Sequence, residues 1–461
     1  MAEAALEQLM ARFYHQIKTL FRSKVIFLIF LFAPFNSYAE RNIEINSWQE
    51  NTNLTSRGKM SEVLAQGKVK NVPKNQVMAS FSIAFDKTRN LKIIDVICDG
   101  KDANFKFENN ALQINFIKGK ADGDKFLIYF SFDEKYDKVE KFLRQELIDI
   151  PSFAAGATAK VNINFPGYLD SATLNPNLKK ESNSFIYSNI VPSDGVREMI
   201  KLTPSKNVWD VTIRTTINSA KGLNNATVFL PTYFENGGQK IENLRLTSST
   251  PPIKQEKKDD KKVLKYKTEN RTIIIENKAR VHTGKNSRLL PNRNPSEYLE
   301  VESLEAALLT QTLENIRRDT KYGDIPLYAK IGKYVHDFIR YDESYIGKLP
   351  SISEILQNPV GVCSEYAKLF NSLARLAKIP SIAVDGAACG ENDKCMGHAW
   401  NVIFDNGKWI EVDPTWDLMS GTVSSSHIYF NDDQKGQVLV KYFDDKESVM
   451  SKIDFEMVEA H

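Results

Sequence analysis

Residues 361–380 read GVCSEYAKLFNSLARLAKIP, and this stretch decides the fold of the C-terminal part of the chain. From Cys363 onwards its apolar side chains recur every three or four residues, which is the spacing of an amphipathic helix. The pattern predicts a helix that begins near Cys363 and ends before Pro380, because proline cannot continue a helix. A thiol in the first turn of a helix lies at the positive end of the helix dipole, which favours the nucleophilic thiolate. A buried structural cysteine is the alternative that this stretch alone leaves open.

The sequence around this helix predicts an α+β domain over residues 296–461. Two further helices precede it, because leucines and isoleucines recur at helical spacing over about 304–316 and 327–339. A short helix is expected from Ser351 or Ser353, since serine is a preferred N-cap residue. Short strands follow the proline, at 381–385, 398–404 and 408–412.

The sequence before this domain alternates between apolar and polar residues, which is typical of half-buried strands. We predict one β-sandwich-like domain over residues 40–150 and a second β-rich domain over 151–290, as the simplest architecture for this pattern. A linker rich in Pro, Asn and Ser follows at about 287–295. The charged run at 254–265 mixes both signs and is therefore interpreted as a solvated hairpin tip rather than a binding patch.

The composition is that of a globular protein, with 42% hydrophobic and 26% charged residues among 461. This length is enough for two or three domains. The 61 basic and 58 acidic residues give a net charge of +3, which is too balanced for a protein that binds DNA or RNA through counterion release. Four cysteines are too few for a scaffold built on disulfides. We therefore expect no nucleic-acid partner.

An apolar run near the N-terminus, VIFLIFLFAPF at 25–35, indicates export. It is shorter than the roughly 20 residues that a membrane-spanning helix needs. Basic residues precede it, and Ser37–Ala39 forms a small-x-small cleavage pattern before Glu40, so we predict a signal peptide over 1–39. The mature protein would be periplasmic or secreted. An uncleaved anchor is the alternative, and only in that case is membrane contact expected.

A hairpin after the helix supplies two further polar side chains. Asn406-Gly407, flanked by alternating residues, predicts a two-residue turn. In that register Asp413 lies opposite Trp400, and His398 is the diagonal neighbour of Asp413, with backbones roughly 7 to 8 Å apart. A three-residue turn would break this pairing.

A thiolate at a helix N-terminus, with an imidazole oriented by a carboxylate, is the arrangement for nucleophilic acyl transfer. In this interpretation His398 takes the thiol proton from Cys363 and later donates it to the leaving amine, while Asp413 holds the imidazole tautomer. The backbone N–H of Cys363 supplies half of an oxyanion hole. Tyr341 is the candidate for the other donor, and a half-buried loop tyrosine is the alternative interpretation.

Three motifs resemble the transglutaminase-like superfamily: Gly361–Ala367 with the helix that follows, Gly397–Asn401, and Val412–Asp417. Their order of Cys, His and Asp, with gaps of 35 and 15 residues, is similar to that of compact microbial members. The resemblance covers roughly 300–430 and implies a papain-like α+β fold with acyl-transfer chemistry on amides. Some relatives cross-link glutamine to amines, others hydrolyse peptides or N-glycan amides, and some are inactive, so the resemblance leaves the acceptor open.

We therefore expect an exported cysteine hydrolase or acyltransferase that takes a protein or peptide substrate and acts on its amide bonds. Hydrolysis is slightly favoured because water is the default acceptor. A cross-linking transglutaminase is one alternative. The other is an inactive β-sandwich protein that binds an envelope partner through its N-terminal domains. No cofactor and no metal are expected, because the sequence has neither a Gly-rich phosphate loop nor an EF-hand calcium loop. Trp400 and Trp416 are the candidates for binding the substrate.

The other three cysteines have structural interpretations. Cys389 and Cys395 lie in the loop before His398, and in an exported protein they are predicted to pair in a disulfide that stiffens this loop. A zinc site that includes His398 is a less favoured alternative, because it would need a fourth ligand and would consume the base. Cys98 is predicted to be a buried core thiol.

Three further titratable residues are interpreted as lying outside the catalytic machinery. His336 falls on the polar side of its helix, and His427 follows three serines, so both are predicted to be solvated. Asp417 competes with Asp413 for the role of orienting acid, but it follows Pro414 and is therefore expected to lie beyond the strand.

Overall fold

A computed structural model describes residues 42–460, apart from gaps at 86–88, 171–173, 175–176, 220–221, 231–232, 234–237, 259–260, 285–293, 391–392, 422, 432–439 and 443–448. The predicted signal peptide and most of the predicted linker therefore lie outside the described residues. Strands build most of the described structure, and the α-helices described belong to the C-terminal part, which confirms the predicted α+β class. None of the helices in the described ranges has the length and apolar character that crossing a bilayer requires.

The first β unit extends from residue 43 to residue 204. Its strands are β1 (Ile43–Thr55), β2 (Gly58–Val69), β3 (Met78–Ala84), β4 (Leu91–Cys98), β5 (Lys101–Asp102), β6 (Phe105–Glu108), β7 (Ala111–Lys120), β8 (Lys125–Lys135), β9 (Arg144–Ile150), β10 (Thr158–Asn164), β11 (Leu169–Asp170), β12 (Leu178–Glu181), β13 (Ser184–Ile190) and β14 (Val196–Pro204). The main sheet has the order β12-β13-β10-β1-β2-β8-β4-β5, and β3-β7-β6 and β11-β14-β9 form two smaller sheets. One hydrophobic core contains residues from both ends of this unit, from Ile43 to Leu202.

The structure divides the two β units near residue 205 rather than at the predicted boundary of 150 and 151. Strand β10 lies parallel to β1, with Ser47–Asn53 paired to Thr158–Asn164, so the chain beyond residue 151 completes the first sheet. An alternating pattern predicts where strands lie, but it carries no information on which distant strands pair.

The second β unit consists of β15 (Lys206–Ser219), β16 (Leu223–Leu230), β17 (Gln239–Ser248), β18 (Lys254–Lys258), β19 (Lys261–Thr268), β20 (Thr272–Gly284), β27 (Val440–Tyr442) and β28 (Val449–Glu459). These strands form two four-stranded sheets with the orders β17-β20-β15-β28 and β18-β19-β16-β27. The C-terminal strands β27 and β28 therefore belong to this unit and not to the predicted 296–461 domain. The charged run forms the antiparallel strands β18 and β19 rather than a hairpin tip alone, and residues 259–260 between them lie outside the described residues.

The C-terminal domain places four helices before a four-stranded sheet. The helices are α1 (Ser303–Arg318), α2 (Leu327–Phe338), α3 (Ile352–Gln357) and α4 (Cys363–Leu376), and the strands are β21 (Arg340–Tyr341), β22 (Val360–Gly361), β23 (Ser381–Cys389), β24 (Cys395–Asp405), β25 (Lys408–Val412) and β26 (Ile428–Asn431). The sheet order is β25-β24-β23-β26. Helix α4 packs on β23 and β24 and contacts α1 and α2. The helices begin and end where the sequence predicts, and Ser351 is the N-cap of α3.

The hairpin of β24 and β25 has the predicted register. Asn406 and Gly407 both have positive φ, at 48° and 78°, which the two-residue hairpin turn requires. The strands pair from Asn401↔Val412 to Asp405↔Lys408, and Asp413 is the residue that follows Val412 at the end of this pairing.

The sheet of the C-terminal domain shares a hydrophobic core with the second β unit. Trp209 and Val281 from the β unit pack with Ala387, Ile428 and Phe430 from the sheet. The burial of these side chains fixes the edge of the sheet that carries β26 against the β unit.

Candidate active site

The thiol of Cys363 is held at the first residue of α4 and is half-buried. The Glu365 carboxylate accepts a hydrogen bond of 2.8 Å from the backbone N–H of Val362, which fixes the start of the helix. A Cβ at Gly361 would lie 2.6 Å from the Cβ of Glu365, so only glycine allows this close approach. The nucleophile predicted from the sequence is therefore rigidly presented at a helix N-terminus.

The imidazole of His398 lies between the thiol and a carboxylate. Its Nε2 is 2.8 Å from Oδ2 of Asp413, and only 4% of His398 is exposed. Burial alone would lower the pKa of His398. The charges of Asp413 and Cys363, together with their hydrogen bonds to the ring, outweigh burial and raise this pKa above the usual value. The structure thus brings together the three side chains predicted to form the triad.

Asp413 is fully buried and is held by hydrogen bonds on both oxygens. Oδ1 accepts from the backbone N–H of Thr415 at 2.8 Å and of Trp416 at 3.4 Å, and Oδ2 faces two imidazoles. Burial would raise the pKa of Asp413, but the contacts with His398 and His427 lower it below its usual range. The carboxylate therefore stays ionised and can orient the imidazole of His398.

The two tryptophans predicted to bind substrate occupy different environments. Trp416 is half-buried and stacks on the ring of His398, with centroids 4.1 Å apart and an interplanar angle of 9°. Trp400 has no exposed surface, and its Nε1 donates to Glu411 at 3.2 Å. The prediction that Trp400 contacts the substrate is therefore wrong, because its ring is core. The role of Trp416 in binding stays a prediction.

Tyr341 lies beside the nucleophile because β21 pairs in parallel with β22, which places Tyr341 next to Gly361. Its side chain is 38% exposed, and its hydroxyl lies 3.8 Å from Sδ of Met396. Burial, followed by the charge of Cys363, raises the pKa of Tyr341, so the hydroxyl keeps its proton and can donate it in a hydrogen bond. The oxyanion role of Tyr341 stays a prediction, and the geometry is compatible with it.

Asp417 is bound by two lysines and not by the catalytic imidazole. Its Oδ2 lies 3.1 Å from Nζ of Lys201 and 3.0 Å from Nζ of Lys333. Burial would raise the pKa of Asp417, but the two ammonium groups lower it. Lys201 also donates to the carbonyl oxygen of Trp416 at 2.9 Å, so strand β14 of the first β unit supports the loop after Asp413.

The interpretation of His427 as a solvated residue is wrong. This histidine has no exposed surface, and its Nε2 lies 3.2 Å from Oδ2 of Asp413. His336 is half-buried, and its Nδ1 lies 3.2 Å and 3.1 Å from the carbonyl oxygens of Pro414 and Thr415. Both rings therefore contact the segment that carries Asp413, which spacing along the sequence did not indicate.

Cys389 and Cys395 are joined in a disulfide, at opposing positions of β23 and β24. The bridge lies three residues before His398. Cys98 is buried in the first β unit, where burial and the neighbouring Asp99 raise the pKa of its thiol to about 11. Of the four cysteines, all of them in the described ranges, only Cys363 combines a free thiol with partial exposure.

His398, Asp413 and His427 place three potential ligand atoms within 4.8 Å of one another. The two hydrogen bonds to Oδ2 of Asp413 account for this proximity without an ion. An ion bound to Nε2 of His398 would replace the hydrogen bond that orients this ring, so we assign no metal to the cluster.

The family model described as the transglutaminase-like superfamily matches residues 315–414. Residues 315–414 are a transglutaminase-like domain. The match includes Cys363, His398 and Asp413, and its end immediately follows the aspartate. The match supports, in general terms, the interpretation of this transglutaminase-like domain as a papain-like cysteine enzyme. His427 lies outside the matched residues.

Among curated proteins, no sequence matches this chain. A solved structure of a proposed cysteine protease from Cytophaga hutchinsonii is similar, with 16% identity and a TM-score of 0.43, over 56% of this chain and 91% of that one. An M1 zinc metallopeptidase from Deinococcus radiodurans matches with 8% identity and a TM-score of 0.27, over 38% of this chain and 45% of that one. Leukotriene A4 hydrolase from Saccharomyces cerevisiae matches with 13% identity and a TM-score of 0.26, over 36% and 30%. At these TM-scores the likenesses carry no functional information.

The ion pair between His398 and Asp413 predicts that the stability of the protein depends on pH. The pKa of His398 is raised in the folded state. The stabilisation that the charged imidazole gives the folded protein is therefore complete below the usual pKa of 6.5 and is lost as the pH rises through the raised pKa. We expect the difference in urea midpoint between the wild type and His398→Gln to be largest near pH 6 and to shrink towards alkaline pH. The comparison is His282→Gln, which changes a half-buried histidine that lies beside Glu242 in the second β unit. A difference that stays constant over this range would contradict the ion pair.

Proposed function

We propose that this protein is a cysteine-dependent acyl-transfer enzyme that acts on amide bonds of proteins or peptides, and that it mainly hydrolyses them. The observation that supports this most directly is the position of His398, whose ring contacts both the Cys363 thiol and the Asp413 carboxylate. A nucleophile, a base and a residue that orients the base are thus in contact, which is the minimum set for covalent acyl transfer.

Acylation begins when His398 takes the proton of the Cys363 thiol and the sulfur attacks the amide carbon. The tetrahedral intermediate carries a negative oxygen, which the backbone N–H of Cys363 and the hydroxyl of Tyr341 stabilise as donors. The C–N bond then breaks, and the imidazolium of His398 gives its proton to the leaving amine. The ionised Asp413 stabilises the imidazolium while it holds this proton.

Deacylation repeats these steps with a new nucleophile. His398 takes a proton from water, and the water oxygen attacks the thioester carbon. The C–S bond then breaks, the imidazolium returns its proton to the Cys363 sulfur, and the carboxylic acid is released. A primary amine in place of water would yield a new amide, which is cross-linking. We favour water because it is the default acceptor for an acyl-enzyme in aqueous solution.

A peptide library with an added primary amine tests this proposal. We expect the mature protein to cleave a subset of peptides, and mass spectrometry separates cleavage from deamidation and from amine incorporation by the mass of each product. The Cys363→Ala variant is the matched control. Amine incorporation in place of cleavage would assign a cross-linking enzyme, and products that persist with Cys363→Ala would contradict cysteine catalysis.

Removing the hydroxyl of Tyr341 tests its place in the oxyanion hole. In Tyr341→Phe we expect kcat on a cleaved peptide to fall by about 100-fold while KM changes little, because an oxyanion donor acts mainly in the transition state. The matched variant Tyr345→Phe changes a nearby tyrosine in the chain, whose hydroxyl accepts a hydrogen bond from Asn358 instead. An unchanged kcat in Tyr341→Phe would remove this tyrosine from the mechanism.

We also propose that the protein is exported to the periplasm or the medium. The basic, apolar and small-residue pattern of 1–39 supports export, and so does the disulfide of Cys389 and Cys395, because such bonds persist in oxidising compartments. N-terminal sequencing of the protein from a cell-envelope fraction should find Glu40 as the first residue. A cytosolic protein that retains residues 1–39 would contradict export.

A further inference from the structure

The carboxylate of Asp413 has a second imidazole partner. His427 Nε2 lies 3.2 Å from Oδ2, the same oxygen that His398 Nε2 approaches at 2.8 Å. An ionised carboxylate only accepts hydrogen bonds, so both Nε2 atoms carry the proton and donate. A fully buried carboxylate needs such donors, because burying an uncompensated charge is costly.

The ring of His427 is fixed by aromatic neighbours. It packs nearly perpendicular to Trp400, with centroids 5.0 Å apart, and to Trp416, with centroids 5.2 Å apart. It meets the ring of His398 edge-on at 5.5 Å. Trp416 stacks on the other ring, so one tryptophan packs against both histidines of the site.

The segment before His427 is held largely by the β units. Trp209 of β15 donates from Nε1 to the carbonyl oxygen of Ser425 at 3.1 Å, and the hydroxyl of Thr283 in β20 bonds the same oxygen. The Ser426 hydroxyl donates to the carbonyl oxygen of Cys389 at 2.7 Å, next to the disulfide.

The second β unit also holds the segment after His427. The side chain of Gln239 in β17 makes two hydrogen bonds of 2.9 Å with the backbone of Tyr429. The second β unit therefore helps to position His427 from outside the C-terminal domain.

We propose that His427 is a positioning residue for acyl transfer: it holds the Asp413 carboxylate in line with His398, from a segment that the β units fix in place. This inference rests on the proposed function of the site, since it concerns the same imidazole and thiol. It gives the second β unit a role in assembling the active site. The hydrogen bond of His427 goes to Asp413, so we infer that it acts through this carboxylate rather than on the substrate.

The alkylation rate of Cys363 by iodoacetamide in the full chain tests this role without a known substrate. His427→Phe keeps an aromatic ring between the tryptophans and removes both nitrogens, whereas His427→Gln keeps an N–H donor near the position of Nε2. We expect alkylation to slow by about tenfold in His427→Phe, because a hydrogen bond to a charged group is lost, and to stay within about threefold of wild type in His427→Gln. His427→Leu gives the same comparison with a smaller side chain if phenylalanine prevents folding.

Three outcomes overturn the inference. The first is an alkylation rate that is unchanged in His427→Phe and His427→Leu. The second is an equal loss of rate in the Gln and apolar variants, which would indicate packing alone. The third is a wild-type rate that falls on chelation and returns with zinc, which would make His427 a metal ligand. A fast wild-type rate that His398→Ala slows but that the His427 variants leave unchanged would refute the inference and keep the proposed function. If Cys363 of the wild type reacts no faster than in His398→Ala, the proposed function fails as well.

Discussion

Replacing Cys363 with alanine is expected to lower kcat/KM on a cleaved peptide by at least about 1,000-fold. The thiol forms the bond to the acyl group, and loss of a nucleophile leaves only the contribution of the oxyanion hole and of substrate binding. The structure gives no substitute, because the other free thiol, that of Cys98, is buried in the first β unit. Steady-state kinetics with the best peptide of the library measures this loss.

The matched control for this prediction is Cys98→Ala, which removes the other free thiol. Cys98 lies at the end of β4 and far along the chain from the triad, so we expect this variant to keep its activity as long as it folds. An activity that survives Cys363→Ala but falls with Cys98→Ala would contradict the assignment of the nucleophile. Both variants keep the disulfide, so the comparison isolates the thiols.

Replacing Asp413 with asparagine is expected to lower kcat by about 10,000-fold. An amide at this position can present an N–H to Nε2 of His398, which then has to accept and moves its proton to the nitrogen that faces the thiol. The ring can no longer take the thiol proton, although its position changes little. A pH–rate profile of kcat/KM measures the loss and shows whether any residual activity needs hydroxide.

Asp417→Asn is the matched control, because Asp417 lies in the same loop but is bonded to Lys201 and Lys333. We expect this variant to keep activity within about tenfold of wild type, since it loses ion pairs but leaves the His398 tautomer unchanged. A larger loss in Asp417→Asn than in Asp413→Asn would reverse the assignment of the orienting acid.

The sequence was sufficient for the local parts of the site. The helix start at Cys363 follows from apolar spacing and a terminating proline. The contact of His398 with Asp413 follows from the Asn406-Gly407 turn, because a two-residue turn fixes the register of both strands. Both predictions use interactions within about 20 residues along the chain, where periodicity and turn chemistry decide the structure.

The parts that sequence reasoning missed depend on pairing between distant segments. His427 reaches Asp413 because β26 pairs with β23, at the opposite edge of the sheet from β25. No local sequence pattern specifies this strand order. Lys201 reaches the loop after Asp413 from another domain, more than 200 residues away in sequence. The burial of Trp400 was missed for a related reason, since Tyr429 of the distant strand β26 packs against its ring.

The same limit explains the shifted domain boundaries. Strand β10 completes the first sheet beside β1, and β28 adds to the second β unit beside β15. Alternation marks each of these segments as a strand, but long-range pairing decides the sheet to which it belongs. The two β units and the transglutaminase-like domain are therefore linked by strands and buried side chains as well as by the chain connections.

The most direct test of the central claim is the second-order rate of iodoacetamide alkylation at Cys363, followed by mass spectrometry in the wild type and in His398→Ala. Cys98 serves as the internal reference, because burial raises the pKa of its thiol to about 11. We expect Cys363 to react much faster than Cys98, and we expect His398→Ala to slow the alkylation of Cys363 by tenfold or more. A rate at Cys363 that is unchanged in His398→Ala would contradict an imidazole-activated thiol and, with it, the acyl-transfer function.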